Sequence, residues 1–277
     1  MLTVAAIFCL STMDATVKSL TDTNPVLQMV WIRYTGQTLL VAFLIRRQLK
    51  TVLHTRHAFL HLLRSFLLFF GTFCFFTGFS KIELASATTI LQTSPLFIAL
   101  GAHFVLGEKL GWQRVAGVVI GLAGTLVIMR PGTDLFSIYS VYPLGAAIGY
   151  SGYAIVTRLL SRDEGIWTSF FYTTLLGSVF SSIAVPFVWV TPEVSDMPWF
   201  LVLTIFGAAG QYLLIRSLFL VEATIVAPFT YVALVFAALH GALFFDEFPD
   251  FWTYIGAAIV AGSGLFVWYR ESQAAKS

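Results

Sequence analysis

The chain reads as a succession of long apolar runs separated by short polar breaks. Runs near 1–20, 25–45, 58–79, 82–105, 111–129, 139–160, 165–190, 197–219, 222–244 and 250–269 approach or exceed the ~20 mostly apolar residues a helix needs to cross a bilayer. Pro25 and Pro143 stand near helix starts, where a missing N–H costs nothing. Gly107-Glu108, Pro131-Gly132, Pro192-Glu193 and Asp246-Glu247 mark turns. A transmembrane β-barrel would show alternating strands of about 10 residues. These runs are continuously apolar and about twice that length. The pattern predicts an all-α integral membrane protein with ten transmembrane helices.

Composition agrees. Of 277 residues, 58% are hydrophobic and 11% charged, against about 25% charged in a soluble domain. A net charge of +2 leaves no nucleic-acid footprint. Cys9 and Cys74 sit in apolar runs and read as small buried thiols. The first run lacks a basic start and a small-residue cleavage site and carries Asp14, so it reads as a span rather than a signal peptide. With the N-terminus inside, the inner side collects Arg46, Arg47, Lys50, Arg56, Arg64, Lys109, Arg114, Arg158, Arg162, Arg216, Arg270 and Lys276. The outer side keeps Lys18, Lys81 and Arg130. Basic residues favour the cytoplasmic side, so both termini are expected there. The outer turns are acidic, with Asp22, Glu83, Asp134, Glu193, Asp196, Asp246, Glu247 and Asp250.

A shift of 139 positions aligns the two halves without a gap. Glu83 meets Glu222, Glu108 meets Glu247, Gly71 meets Gly210 and Gly117 meets Gly256. Five helices per half is an odd number, so the second half enters the membrane from the opposite side. This is an inverted-topology repeat, a construction of secondary transporters that places the working site near the midplane. The expected units are 1–130, 139–270 and a short cytoplasmic tail, 271–277. Leu234 stands where the first half has Pro95, so a kink at Pro95 need not be mirrored.

The segment Gly107–Gly124, the pair Asp246-Glu247 followed by Gly256 at the same distance, and Pro25–Tyr34 ending in Ile32-Arg33-Tyr34 resemble the drug/metabolite transporter superfamily, EamA type. The resemblance covers essentially the whole chain. It implies a bacterial inner-membrane exporter of amino acids or similar small metabolites, such as the aromatic amino-acid exporters. Other members resembling this chain take up S-adenosylmethionine.

Charges inside a membrane span are costly and face a cavity or a partner. Asp14 lies about 9 Å and Arg33 about 12 Å from the outer ends of their helices, at 1.5 Å per residue. Ser11, Asp14 and Lys18 share one face. One reading is a structural pair, Asp14–Arg33 or Asp14–Lys18, with Lys18 and Arg33 as structural or gating charges. The other is that Asp14 binds an ammonium group or a proton. Thr88, Gln92, Pro95, Ala99 and His103 fall on one face of the fourth span; Ala227, Tyr231, Leu234, Ala238 and Ala242 are its counterparts in the ninth. Gln92 and Tyr231 are repeat equivalents and are expected on the cavity wall. Phe76 and Phe79 in the third span, Tyr150 and Tyr153 in the sixth and Gln211 in the eighth complete a substrate-binding set suited to a small amphipathic ligand.

His54, His57 and His61 have helical spacing but no accompanying carboxylate or Cys, so a basic interfacial helix start is preferred to a metal site. Gly117-x-x-x-Gly121 and Gly145-x-x-x-Gly149 are expected to pack within the bundle, in a monomer or weak dimer. The chain holds no phosphate loop, H-E-x-x-H or G-x-S-x-G motif. The expectation is a transporter without cofactor or catalytic residues, whose partners are a small-molecule substrate in a central cavity and the lipid bilayer. The rivals are an uptake carrier and, more remotely, an intramembrane lipid enzyme.

Overall fold

In the computed structural model the apolar runs fold into helices; residues 1–106, 112–133, 136–160, 164–220 and 229–274 are described. The helices are α1 (Leu2–Leu20), α2 (Val26–Leu44), α3 (Leu49–Val52), α4 (Ala58–Phe79), α5 (Leu84–Leu91), α6 (Ser94–Leu106), α7 (Trp112–Met129), α8 (Val141–Leu160), α9 (Ile166–Ala184), α10 (Met197–Leu220), α11 (Val232–Phe245) and α12 (Phe251–Ala274), with no strand among the described residues. Six stretches are both long and apolar enough to cross a bilayer: Leu2–Leu20, Ala58–Phe79, Leu84–Val105, Ile166–Val188, Val194–Ser217 and Phe251–Arg270. Val115–Met129 and Val232–Phe245 are apolar but shorter. The remaining two expected spans, α2 and α8, have 19 and 20 residues but carry more polar side chains, among them Gln28, Arg33 and Gln37 in α2. Glu108, Lys109, Asp134, Arg162, Glu222, Ala227 and Lys276, to which the sequence assigned roles, lie outside the described residues.

The distribution of polarity is that of a protein in lipid. Leu39, Phe43, Phe59, Phe104, Leu243 and Phe251 point largely outward, whereas Gln28, Gln37, His61, Arg64 and Thr93 are almost wholly buried. In water this arrangement would expose a large apolar surface; hydrocarbon makes it favourable.

Packing recurs at the 139-residue interval. The most extensive helix contacts are α4 with α8, α1 with α10, α7 with α12 and α2 with α9. Exchanging the halves turns the first pair into the second and returns the other two to themselves. The recurrence extends to atoms. A Cβ on Gly117 would collide with Val267 and approach the Ser263 carbonyl; a Cβ on Gly256 would collide with Ile128 and the Gly124 carbonyl. Val267 and Ser263 stand 139 positions after Ile128 and Gly124. Gly121 abuts Leu96 and Ser263, and Gly149 lies against the backbone of Leu67 and Gly71. Both small-residue motifs are thus occupied by helix contacts within the chain.

The continuous face expected in the fourth span is broken. α5 ends at Leu91, Gln92 and Thr93 form a turn, and α6 starts at Ser94 with Pro95 in its first turn, where a proline is tolerated. The break is mirrored despite Leu234: Tyr231 is a turn residue just before α11. The Leu96 N–H donates to the Thr93 carbonyl at 3.0 Å, and the Leu234 N–H donates to the Tyr231 carbonyl at the same distance. A turn at this position therefore does not require a proline.

Candidate functional site

At the end where α1, α4, α7 and α11 finish lies a cavity of about 720 Å³. Its wall carries Lys18, Lys81 and Arg130 against Asp22, Glu83, Glu247 and Asp250. The geometry of Glu247 is set locally. Asp246 caps α11 in the left-handed region (φ 55°), and the Glu247 N–H closes the helix end on the Gly241 carbonyl at 3.0 Å. The Glu247 carboxylate then meets Lys18 Nζ at 2.5 Å and accepts the Leu84 N–H at 3.0 Å. Lys18 Nζ also donates to the Ile82 carbonyl at 2.7 Å and lies over the Phe245 ring. One ion pair therefore ties α1, the start of α5 and the α11–α12 turn. Arg130 pairs with Asp250, whose other oxygen caps α12 by accepting the Thr253 N–H and hydroxyl at 2.9 and 2.8 Å. Burial pushes the Glu83 carboxyl above its ordinary range; Glu247 and Asp250 add to this, and Ser86 and Lys18 oppose it.

Deeper in the bundle are two buried polar clusters. In the first, Arg33 donates to Thr72 Oγ1 at 3.3 Å and lies over the rings of Tyr34 and Phe76. Tyr34 Oη and Thr72 Oγ1 are 2.9 Å apart. Asp14 lies within electrostatic range of the Arg33 guanidinium without contacting it. In the second, Arg64 Nη2 and Gln211 Nε2 both donate to Tyr153 Oη, at 3.3 and 3.0 Å, and Arg64 lies over the Tyr153 ring. Ser11 on α1 and His240 on α11 make a further contact of 3.0 Å, for which the sequence offered no signal.

Several expectations change. Neither Asp14 pair forms: Lys18 is drawn to Glu247 and Arg33 to Thr72, and Asp14 makes no ion pair among the described residues. Asp14 lies four residues, about 6 Å, deeper along α1 than Lys18. Phe76 and Phe79 are wholly buried against one another, with centroids 5.2 Å apart, in the core with Met13, Met29 and Tyr34. Only Phe76 also touches a charged group of the clusters. Gln92 sits at the helix break with its Nε2 unpartnered, and the hydroxyl of Tyr231, likewise unpartnered, lies against Gly264 of α12. Tyr150 stands beside Tyr153, with ring centroids 5.8 Å apart.

Arg64, counted with the inner loop charges, is fully buried within α4. His61, in the first turn of α4, is likewise enclosed by protein. It is buried and stacked on Tyr172 at 4.7 Å, and its Nε2 lies 3.8 Å from Glu164 of the α8–α9 turn. A carboxylate does accompany it, brought by the fold from a hundred residues away; no group of three potential ligands forms among the described residues. Its position, six residues inside an apolar run, puts Arg64 within the helix but does not by itself show what encloses it.

The family profile described as "EamA-like transporter family" matches residues 1–130 and 137–269. An S-adenosylmethionine uptake transporter of Rickettsia bellii is 32% identical over 225 residues, covering 81% of this chain and 77% of the relative. A pseudopaline exporter of Pseudomonas aeruginosa is 29% identical over 265 residues, covering 94% and 92%. A solved structure with 21% identity superposes with a TM-score of 0.69 over 96% of this chain and 94% of the other, a likeness of fold. The chain is a multi-pass membrane protein and belongs to the EamA-like transporter family.

Proposed function

We propose that the protein is a secondary active transporter of the bacterial inner membrane that moves amino acids or similar small zwitterionic metabolites by alternating access. The observation that supports this reading is an acidic and a basic side chain, Asp14 and Arg33, within electrostatic range of each other inside the bundle but not joined in an ion pair among the described residues. A fixed carboxylate and a fixed guanidinium suit the ammonium and carboxylate of one ligand, and intramembrane charges of this kind mark substrate paths.

The ten-span organisation, with repeats 1–130 and 139–270, the tail 271–277 and both termini in the cytoplasm, is part of the same reading. The packing that recurs at 139 residues supports it, because rocking of one half against the other needs matched halves. Asp14, Phe76, Gln92, Tyr150, Tyr153 and Gln211 are proposed to contact the cargo during the cycle, with Phe79 and Tyr231 backing them. Lys18 acts as a gating charge through Glu247.

Counterflow in proteoliposomes tests the proposal. Amino acids, S-adenosylmethionine and riboflavin are offered to the full chain, and saturable exchange of an amino-acid-bearing member is expected. Uptake of riboflavin alone, or exchange unaffected by Asp14→Asn, would refute it. Export is the primary direction. Uptake of S-adenosylmethionine is the second reading, favoured by the relative from Rickettsia bellii; accumulation against efflux in intact cells separates the two.

A further inference from the structure

Arg64 is the largest wholly buried side chain among the described residues. A guanidinium does not lose its proton in a protein, so burial in a membrane span cannot be relieved by neutralisation. Such a charge needs an acceptor. None of the described carboxylates pairs with it, and its Nε and Nη1 have no hydrogen-bond partner. What surrounds it is rich in donors. Tyr153 Oη already receives bonds from Arg64 and from Gln211, which leaves its own O–H to give. Three elements, α4, α8 and α10, thus point donors at one another with no anion among them.

The position of this cluster is informative. Tyr153 and Gln211 stand 139 residues after Asp14 and Thr72. The second half therefore repeats the place of the Asp14–Thr72 cluster with a phenol instead of the carboxylate. Arg64, Leu68, Thr72 and Phe76 follow at four-residue steps on one face of α4. Arg33 occupies this face at Thr72, eight residues and about 12 Å from Arg64. One station holds an acidic and a basic side chain; the other holds only a basic one.

We propose that Arg64, Tyr153 and Gln211 form a second, anion-selective subsite that takes a carboxylate group of the cargo, two helical turns along α4 from the Arg33 cluster. This rests on the transport reading for the cargo but not for the anion chemistry. A planar carboxylate would supply acceptors to Arg64 and to the Tyr153 hydroxyl, and it would explain why this buried cation lacks a protein counterion.

Binding of acid and carboxyl-free partners to the full chain in nanodiscs is the first test. The pairs are S-adenosylmethionine with its decarboxylated form and L-phenylalanine with L-phenylalaninamide. The acid is expected to bind about tenfold or more tightly, as loss of a charge-assisted hydrogen bond implies. Arg64→Gln should cut that preference by weakening the acid alone, leaving only what Arg33 contributes, and Arg64→Lys should keep more of it. A folded Arg64→Gln protein with the wild-type preference overturns the proposal.

The second test needs neither cargo nor variant. Phenylglyoxal modification of wild-type Arg64 is followed by peptide mass spectrometry, in sodium acetate against sodium chloride at equal ionic strength. Slowing of about threefold or more by acetate supports the subsite. Equal rates in the two salts, or an Arg64 that never reacts, overturn it. If no acid or amide binds while acetate protects Arg64, the assigned cargo class fails and the anion subsite stands.

Discussion

Removing the Lys18 ammonium should loosen the end of the bundle at which the cavity opens. Lys18 and Glu247 are 10% and 22% exposed and 2.5 Å apart. An exposed pair contributes about 0–1 kcal/mol, and breaking a fully buried one costs about 3–5 kcal/mol. Partial burial, with the extra bonds to the Ile82 carbonyl and from the Leu84 N–H, places Lys18→Met at about 1–3 kcal/mol. The same interaction bridges α1 and the α11–α12 turn, so its loss should favour a conformer in which these elements part. A bias of about 1.4 kcal/mol shifts such an equilibrium tenfold.

A double-mutant cycle with Lys18→Met and Glu247→Gln, read by thermal unfolding in nanodiscs, measures the coupling. Reactivity of a cysteine at Asp14 or Gln92 toward a small hydrophilic thiol reagent measures the opening. Coupling of about 1 kcal/mol or more and a rise in reactivity in both single mutants are expected. Additive mutations, or unchanged reactivity, would refute the idea that this pair holds the end closed.

Three further outcomes follow from the same geometry. Asp14→Asn should weaken binding of an amine-bearing cargo about tenfold or more and leave a des-amino analogue unchanged, measured by equilibrium binding. Gly256→Ala should destabilise by about 1–3 kcal/mol, and more than Gly117→Ala, because the added methyl meets the Gly124 carbonyl at 2.8 Å while at Gly117 it meets chiefly a movable Val267 methyl; thermal unfolding ranks them. Glu83, with its folded pKa raised, costs stability when ionised and is neutral in its effect once protonated, so stability it contributes is lost as pH rises through that raised value. Glu83→Gln should therefore raise the melting temperature at pH 7–8, with the gain shrinking to nothing below the ordinary carboxylate value of 4.5; a gain that grows on acidification would contradict this.

What was legible in the sequence follows from what a bilayer constrains. Apolar run length fixes helices in lipid, because every backbone N–H and C=O must be satisfied within its segment. Several expected and observed helix limits therefore agree closely, as at 58–79 and Ala58–Phe79, whereas the run at 82–105 divides into two helices. The same constraint hid Arg64. Counting basic residues by distance from a run's end treats a charge six residues inside as a loop charge, and only its neighbours reveal that it is enclosed. Partner choice was equally illegible. Asp14, Lys18 and Arg33 invited pairing by depth alone, yet Lys18 reaches a carboxylate delivered by the left-handed cap at Asp246, more than two hundred residues away. His61 finds Glu164 in the same manner.

The helix break shows the converse case. Pro95 is a visible local cause that Leu234 lacks, yet both halves turn at equivalent positions. A proline is therefore not required for the interruption, which lies where α5 packs against α11 and places the unpartnered amide of Gln92 at a point where two helices end rather than along one. A helix end offers unsatisfied backbone groups as well as a side chain. On the proposed transport reading, the break is one place where a ligand passing between the halves would meet both kinds of group.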